Sequence, residues 1–202
     1  MKQIIFIRGG EAFDTEEQYL DYLKKRKYDP FDQSKSWKDW IEWALSDKYE
    51  MMAPVMPCKQ NATYVAWKIW FEKLLPYLNE EELIVIGSSL GGTFLAKYLS
   101  ENTFPKRISQ LHLVAPVFGS EGLVDETIGD FAFDPNKLDT MEKQVDKIFL
   151  YASTDDPLVP ISHCEMYKKY VPSTEVLIFQ NRGHFFQPAL PELLENIGAY
   201  QK

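Results

Sequence analysis

The residues best suited to do chemistry are a serine, an aspartate and a histidine that occur in this order along the chain. Ser89 lies in Gly87-Ser88-Ser89-Leu90-Gly91, between an apolar run and a helix-like segment. Glycines two residues to either side allow a very tight strand-to-helix turn, because larger side chains there would collide. Such a turn raises the serine above the end of its strand. The spacing therefore predicts Ser89 as a nucleophile, with the Leu90 N–H directed at a developing oxyanion.

Other glycine-rich turns bind phosphate groups, so they are alternatives to a nucleophile turn. A P-loop would continue with glycine, lysine and then serine or threonine, whereas this turn continues with Gly92-Thr93. A dinucleotide-binding turn would follow the first strand of its unit with the pattern Gly-x-Gly-x-x-Gly, and that spacing is absent here. A plain packing turn stays open as an alternative at this point.

Candidate partners for Ser89 follow two later strand-like runs. Asp155 and Asp156 come after residues 147–153, and His184 comes after residues 174–180. The carboxyl ends of parallel strands share one edge of a sheet, so these side chains are expected to meet Ser89 there. A helix cap for the aspartates and a surface loop for the histidine are the other readings. The order predicts a triad in which His184 is the general base.

The two remaining histidines have no place in this arrangement. His112 lies inside a strand-like run and is predicted to be structural. His163 follows Pro160 at the start of a helix-like segment, where a capping or solvent-facing role is expected. Neither residue follows the carboxyl end of a predicted strand.

The elements that must position these residues alternate between strands and helices. Apolar runs rich in β-branched residues are typical of buried parallel strands, and they cover residues 3–8, 83–87, 108–117, 147–153 and 174–180, with a weaker run at 49–55. Helices are predicted at residues 15–26, 36–45, 64–78, 90–101, 162–170 and 190–200. This alternation predicts a single α/β domain over residues 1–202 with right-handed crossovers.

Two long connections, residues 31–46 and 119–144, are predicted to be short cap-like insertions. Both carry aromatic residues, and these either pack in the core or form the wall of a small apolar pocket that favours short or medium acyl groups over long lipids. The aromatic residues concerned are Trp37, Trp40, Trp43, Phe131 and Phe133.

Composition excludes several classes of function. The chain has 202 residues, a net charge of -8 and a pI near 5.0, which disfavours binding to nucleic acid or to an anionic membrane. The first apolar stretch is too short for a signal peptide or a membrane span. Cys58 and Cys164 form no Cys-x-x-Cys or zinc pattern, so two reduced thiols in a cytoplasmic protein are expected. No metal or organic cofactor is implied.

Taken together, three motifs resemble the α/β-hydrolase superfamily, specifically the small YdeN-like serine hydrolases that include the retinoblastoma-binding hydrolase. The motifs are Gly87-Ser88-Ser89-Leu90-Gly91, Asp155-Asp156-Pro157-Leu158-Val159-Pro160 and Gly183-His184-Phe185. The first motif is also similar to that of YqiA-like esterases. The resemblance implies six parallel strands in the order 2-1-3-4-5-6 with helices on both faces. It also implies that Asp156, rather than Asp155, is the triad acid.

Many of these relatives carry His-Gly after the first strand, and a backbone N–H there completes the oxyanion hole. This chain has Arg8-Gly9-Gly10-Glu11 at that place. The expected donors are therefore the N–H groups of Gly10 and Leu90, although an ordinary turn at the two glycines stays possible. Arg8, Gly9 and Phe185 are the candidate substrate contacts.

The expected reaction is acyl transfer to water from a carboxylic ester, a thioester or a small amide. The partner is then a small acyl ester, bound by a monomer or a homodimer. Acyl transfer to another acceptor, peptide cleavage, and a hydrolase fold used as a protein-binding module are the alternatives.

Overall fold

A parallel sheet of six strands forms the centre of the computed structural model, which describes residues 1–198. The strands are β1 (Lys2–Ile7), β2 (Tyr49–Met52), β3 (Leu83–Ser88), β4 (Ile108–Val114), β5 (Val145–Ser153) and β6 (Glu175–Phe179). All neighbouring strands are parallel and follow the order β2-β1-β3-β4-β5-β6, which confirms the predicted topology.

Helices cover both faces of this sheet because successive side chains of a strand point to opposite faces. The helices are α1 (Glu16–Lys25), α2 (Trp37–Leu45), α3 (Tyr64–Glu72), α4 (Leu90–Glu101), α5 (Leu138–Lys143), α6 (Ile161–Tyr170) and α7 (Pro191–Ile197). Ile5 and Ile7 of β1 belong to the apolar core shared with α3, α4, α5 and α6, whereas Ile4 and Phe6 belong to the core shared with α2 and α7. Within residues 1–198, no helix has the length and apolar character needed to cross a bilayer.

The ends of several elements differ from the sequence prediction for local backbone reasons. β4 ends at Val114 rather than at residue 117, because Ala115 has a φ of 46° and Pro116 lacks an N–H for a ladder bond. α3 ends at Glu72, and a separate 3-10 turn at Leu75–Tyr77 contains Pro76. α7 is described to Ile197, so the end of the last predicted helix, near residue 200, lies outside the described residues.

The two long connections carry structure of their own. The first contains α2, and the second contains α5 and two 3-10 turns, Gly129–Phe131 and Pro135–Lys137. Trp37 stacks on Phe6 at a centroid distance of 5.5 Å, and Phe131 is fully buried in the core. Trp43, by contrast, is 75% exposed, so it does not pack in the core.

Candidate active site

Ser89 occupies a strained turn between β3 and α4. Its φ of 54° and ψ of -127° lie outside the regions that residues with side chains prefer. A Cβ on Gly87 would lie 2.7 Å from the Gly92 Cα, and a Cβ on Gly91 would collide with the Ile7 carbonyl. The glycines are therefore required by close backbone packing, as the spacing predicted. The Ser89 N–H donates to the Val114 carbonyl at 2.8 Å and fixes the turn against β4.

His184 and Asp156 form a shielded pair beyond the ends of β6 and β5. The His184 Nδ1 lies 2.8 Å from the Asp156 Oδ2, and the two side chains are 11% and 1% exposed. The other carboxylate oxygen of Asp156 accepts the N–H groups of Leu158 at 2.8 Å and Val159 at 2.9 Å. This pairing leaves the Nε2 of His184 as the ring nitrogen that can exchange a proton with a nucleophile. Ser89 lines the same cavity as His184.

Asp155 contacts the loop before His184 instead of the imidazole. Its Oδ1 accepts the Gly183 N–H at 3.0 Å and the Ser153 hydroxyl, and that hydroxyl hydrogen bond lowers the pKa of Asp155. The Arg182 N–H in turn donates to the Ser153 Oγ at 3.1 Å. Asp155 thus ties the end of β5 to the segment that leads into His184, which makes it a positioning residue.

The loop after β1 packs directly against the serine turn. A Cβ on Gly9 would lie 3.0 Å from the Ser89 Cβ, so only glycine fits without displacing the neighbouring backbone. The peptide between Gly10 and Glu11 is fixed by a hydrogen bond in which the Glu11 N–H donates to the Lys59 carbonyl at 2.8 Å. Gly10 and Leu90 line the same cavity as Ser89. The structure therefore brings the two candidate oxyanion donors close to Ser89.

Two of the predicted substrate contacts, Arg8 and Phe185, do not line the cavity beside Ser89. The Arg8 guanidinium bonds to Asp39 at 2.7 Å and to Glu42 on α2, and so it anchors this helix rather than lining the cavity beside Ser89. Phe185 is 4% exposed and packs edge-on against Phe179, with ring centroids 5.7 Å apart. The sequence prediction placed Phe185 at the substrate, whereas the neighbouring Phe186 faces the site.

A narrow space, here called the inner cavity, adjoins Ser89 and His184. Its volume is about 20 Å³, which holds little more than one water molecule. Its apolar walls come from Ala12, Val117, Leu123, Val124, Ile128, Leu158 and Val159. Phe131 and Phe133 do not line it, although they lie in the same long connection as Leu123. Sequence reasoning missed these aliphatic walls because the connection shows no periodic apolar pattern.

A wider space, here called the outer cleft, opens from the same serine and histidine and has a volume of about 310 Å³. Charged side chains line it, namely Glu11, Arg26, Lys38, Lys59 and Glu126, together with Gln60 and Phe186. Burial, reinforced by the nearby Glu11, raises the pKa of Glu126 to about 7. Burial, with Arg8 and Lys59 close by, lowers the pKa of Lys38. No sequence motif marked Arg26, Lys38, Lys59 or Glu126.

The two other histidines are structural. His112 is fully buried, and its ring nitrogens bond to the Tyr151 hydroxyl and to Gln110, both at 2.9 Å. Burial lowers the pKa of His112 to about 3, so the ring stays neutral. His163 is also buried and links the Phe118 N–H at 2.9 Å to the Glu121 carbonyl at 2.8 Å. His163 therefore braces the start of a long connection, rather than facing solvent or capping α6.

The fold and the position of the serine turn define the class of protein. Six parallel strands in this order, with a serine on a strained turn after β3 and a His–Asp pair beyond β5 and β6, are features of an α/β-hydrolase. A family model described as serine hydrolase matches residues 31–189. The chain therefore belongs to the serine hydrolase family and is a hydrolase.

Solved structures show the same fold at low sequence identity. The ydeN gene product from B. subtilis is 19% identical, with a TM-score of 0.74 over 99% of this chain and 98% of that one. A YdeN-like hydrolase from Pectobacterium atrosepticum is 14% identical, with a TM-score of 0.61 over 96% and 88%. A meta-cleavage product hydrolase from Pseudomonas fluorescens is 14% identical, with a TM-score of 0.67 over 98% and 89%. A search of the curated proteins finds no significant match to the chain.

Proposed function

We propose that the protein is a serine esterase that hydrolyses carboxylic esters, thioesters or small amides through an acyl-enzyme. The observation that carries this proposal is the shielded pair of His184 and Asp156, 2.8 Å apart, on the cavity that Ser89 also lines. A histidine held in this way presents one nitrogen to the nucleophile in a fixed tautomer.

The proposed reaction begins when the Ser89 hydroxyl attacks the acyl carbonyl and His184 takes its proton. The N–H groups of Leu90 and Gly10 stabilise the oxyanion that forms. His184 then gives the proton to the leaving group, and a water molecule hydrolyses the acyl-enzyme with His184 again as base. Asp156 holds the imidazole orientation and stabilises its charged form.

The inner cavity supports a preference for short acyl groups. Each methylene contributes about 0.8 kcal/mol while it is being buried, and nothing once it protrudes into water. A space of about 20 Å³ with mostly aliphatic walls has room for about one or two carbons of an acyl chain unless its walls move. Longer chains have to displace the residues around Leu123.

The test is hydrolysis of p-nitrophenyl esters of increasing acyl length by the wild type and by Ser89→Ala. We expect kcat/KM to rise over the first few carbons and then level or fall, and Ser89→Ala to lose several orders of magnitude in kcat. A steady rise out to long acyl chains would contradict the small pocket. Equal turnover by the wild type and Ser89→Ala would contradict the proposed chemistry.

The proposed partner is a small acyl ester, and the proposed setting is the cytoplasm. Cys58 and Cys164 are free thiols, as expected of a protein kept in a reducing compartment. Burial raises the pKa of the Cys164 thiol to about 11, which makes it unreactive. The net charge of -8 disfavours nucleic acid and anionic membranes as partners. The proposed chemistry needs only side chains and backbone N–H groups, in a monomer or a homodimer.

A further inference from the structure

The charges that line the outer cleft do not balance. The Arg26 guanidinium bonds to the Glu11 carboxylate and to the Tyr22 hydroxyl, so this cation and this anion neutralise each other. Neither the Lys38 nor the Lys59 ammonium makes an ion pair or hydrogen bond with any residue in the described part of the chain. Two lysines therefore face the cleft with Glu126 as the remaining acidic group.

Lys38 is the more informative of the two lysines because it is half-buried on the first turn of α2. A half-buried ammonium that makes no direct ion pair or hydrogen bond is costly, so a protein usually pairs such a group or uses it to bind a ligand. Arg8 and Lys59 add positive potential at Lys38, and the carboxylates of Asp39 and Glu11 offset part of it. Both carboxylates are already bonded to arginines, Asp39 to Arg8 and Glu11 to Arg26. Glu126 offsets little of that potential while it is protonated, and its pKa is about 7.

The two lysines line the outer cleft but not the inner cavity, where the acyl group is proposed to bind. The walls of the inner cavity are mostly aliphatic and include Glu126 and Thr127 but neither lysine, whereas both lysines line the outer cleft. An ester carbonyl at Ser89 with its acyl chain in the inner cavity directs its leaving group into the outer cleft. In this orientation, the part of a substrate that reaches Lys38 and Lys59 is its leaving group.

We propose that Lys38 and Lys59 form a subsite for a carboxylate on the leaving group, so that the substrates are short acyl esters of anionic alcohols or thiols. This inference rests on the proposed esterase function. The positive subsite is notable on a chain whose net charge is -8, because the rest of the surface repels anions. Lysine ammonium groups and substrate carboxylates form charge-assisted hydrogen bonds of the stronger kind.

The test uses two nitrophenyl acetates that differ only in one ring substituent, a carboxylate in one and a carboxamide in the other. We expect the wild type to prefer the carboxylate ester by about tenfold in kcat/KM, since partly shielded charge pairs reach this strength. Lys38→Met and Lys59→Met keep the apolar stem and should each reduce that ratio by about threefold to fivefold. The matched control is Lys35→Met, which removes the same charge from an exposed position outside the cleft.

A second measurement separates the subsite from the hydrolysis. Ser89→Ala should bind the carboxylate ester more tightly than the carboxamide ester, and adding Lys38→Met should remove the difference. If the wild type hydrolyses both esters equally and Ser89→Ala binds both equally, the subsite is overturned while the esterase function stands. If the wild type hydrolyses neither ester but Ser89→Ala shows the lysine-dependent preference, the subsite stands and the esterase function fails.

Discussion

Adjacent aspartates after β5 make different contacts and so predict different mutational effects. Asp156 contacts the His184 ring, whereas Asp155 contacts the Gly183 N–H and the Ser153 hydroxyl. Only the first contact bears on the tautomer of the imidazole. This distinction followed from family resemblance in the sequence, and the geometry now gives it a physical reason.

Asp156→Asn is expected to lower kcat for p-nitrophenyl acetate by about 10⁴, because an amide at this position disturbs the histidine tautomer. Asp155→Asn is the matched control. It keeps an oxygen that accepts the Gly183 N–H, so its kcat should fall far less. A larger loss in Asp155→Asn than in Asp156→Asn would show that the triad acid has been misassigned.

Glu126 should make the substrate preference of the outer cleft depend on pH. The quantity to measure is the ratio of kcat/KM for the carboxylate ester to kcat/KM for the carboxamide ester. Its carboxyl faces Glu11, Arg26 and Asp125, and its pKa is about 7, so it gains negative charge as the pH rises through that value. The preference for the carboxylate ester over the carboxamide ester should therefore decrease between about pH 6 and pH 8. Taking the ratio removes the titration of the catalytic groups, which affects both esters alike. In Glu126→Gln the ratio should stay high and flat, and an unchanged slope would exclude Glu126 as its source.

At the scale of elements, the sequence predicted all six strands and every helix but α5, because those elements carry a local signal. The short helix α5 lies in a connection with no periodic apolar pattern, and it was not predicted. The continuous apolar run of β3 and the glycine spacing after it identify the serine turn without any tertiary information. The ends of β4 and α3 were less predictable. The left-handed conformation of Ala115 depends on how the chain turns beside Ser89, and no local pattern encodes it.

The walls of the site were missed for a related reason. Leu123, Glu126, Lys38 and Lys59 reach the cleft from connections or from the start of a helix, where position depends on tertiary packing. A sequence pattern shows that a connection is long, but not which of its side chains points at the serine. The sequence instead favoured the aromatic residues of the two long connections as pocket walls, and most of these side chains pack in or against the core.

The long connection after β4 should control the acyl length that the enzyme accepts. Leu123→Ala removes part of the inner cavity wall, so the optimum in the p-nitrophenyl ester series should move to longer acyl chains. The matched control is Val65→Ala, because Val65 is exposed on α3 and outside the site. An unchanged optimum in Leu123→Ala would mean that the acyl group occupies a different space.

For the whole molecule, the buried histidine of β4 links stability to pH. His112 is neutral in the folded protein, where its pKa is about 3, whereas the ordinary value is 6.5. Between these values the unfolded chain binds a proton that the folded chain does not. The free energy of unfolding therefore falls as the pH drops below about 6.5, by up to about 1.4 kcal/mol per pH unit.

His112→Gln should remove this contribution while keeping a polar group near Tyr151. Denaturant unfolding measured at about pH 7 and about pH 5 is expected to show a smaller loss of stability for His112→Gln than for the wild type. All other titrating groups are common to the two proteins. Equal losses would indicate that His112 is protonated in the folded state as readily as in the unfolded one.

Covalent labelling tests the nucleophile without any choice of substrate. A fluorophosphonate reacts only with a serine that is activated by a base and faces an oxyanion hole. We expect the wild type to carry one adduct, located by mass spectrometry on Ser89, with labelling retained in Ser88→Ala and lost in Ser89→Ala. Folded wild-type protein that carries no adduct, or an adduct on Ser88 in place of Ser89, would contradict the proposed active site.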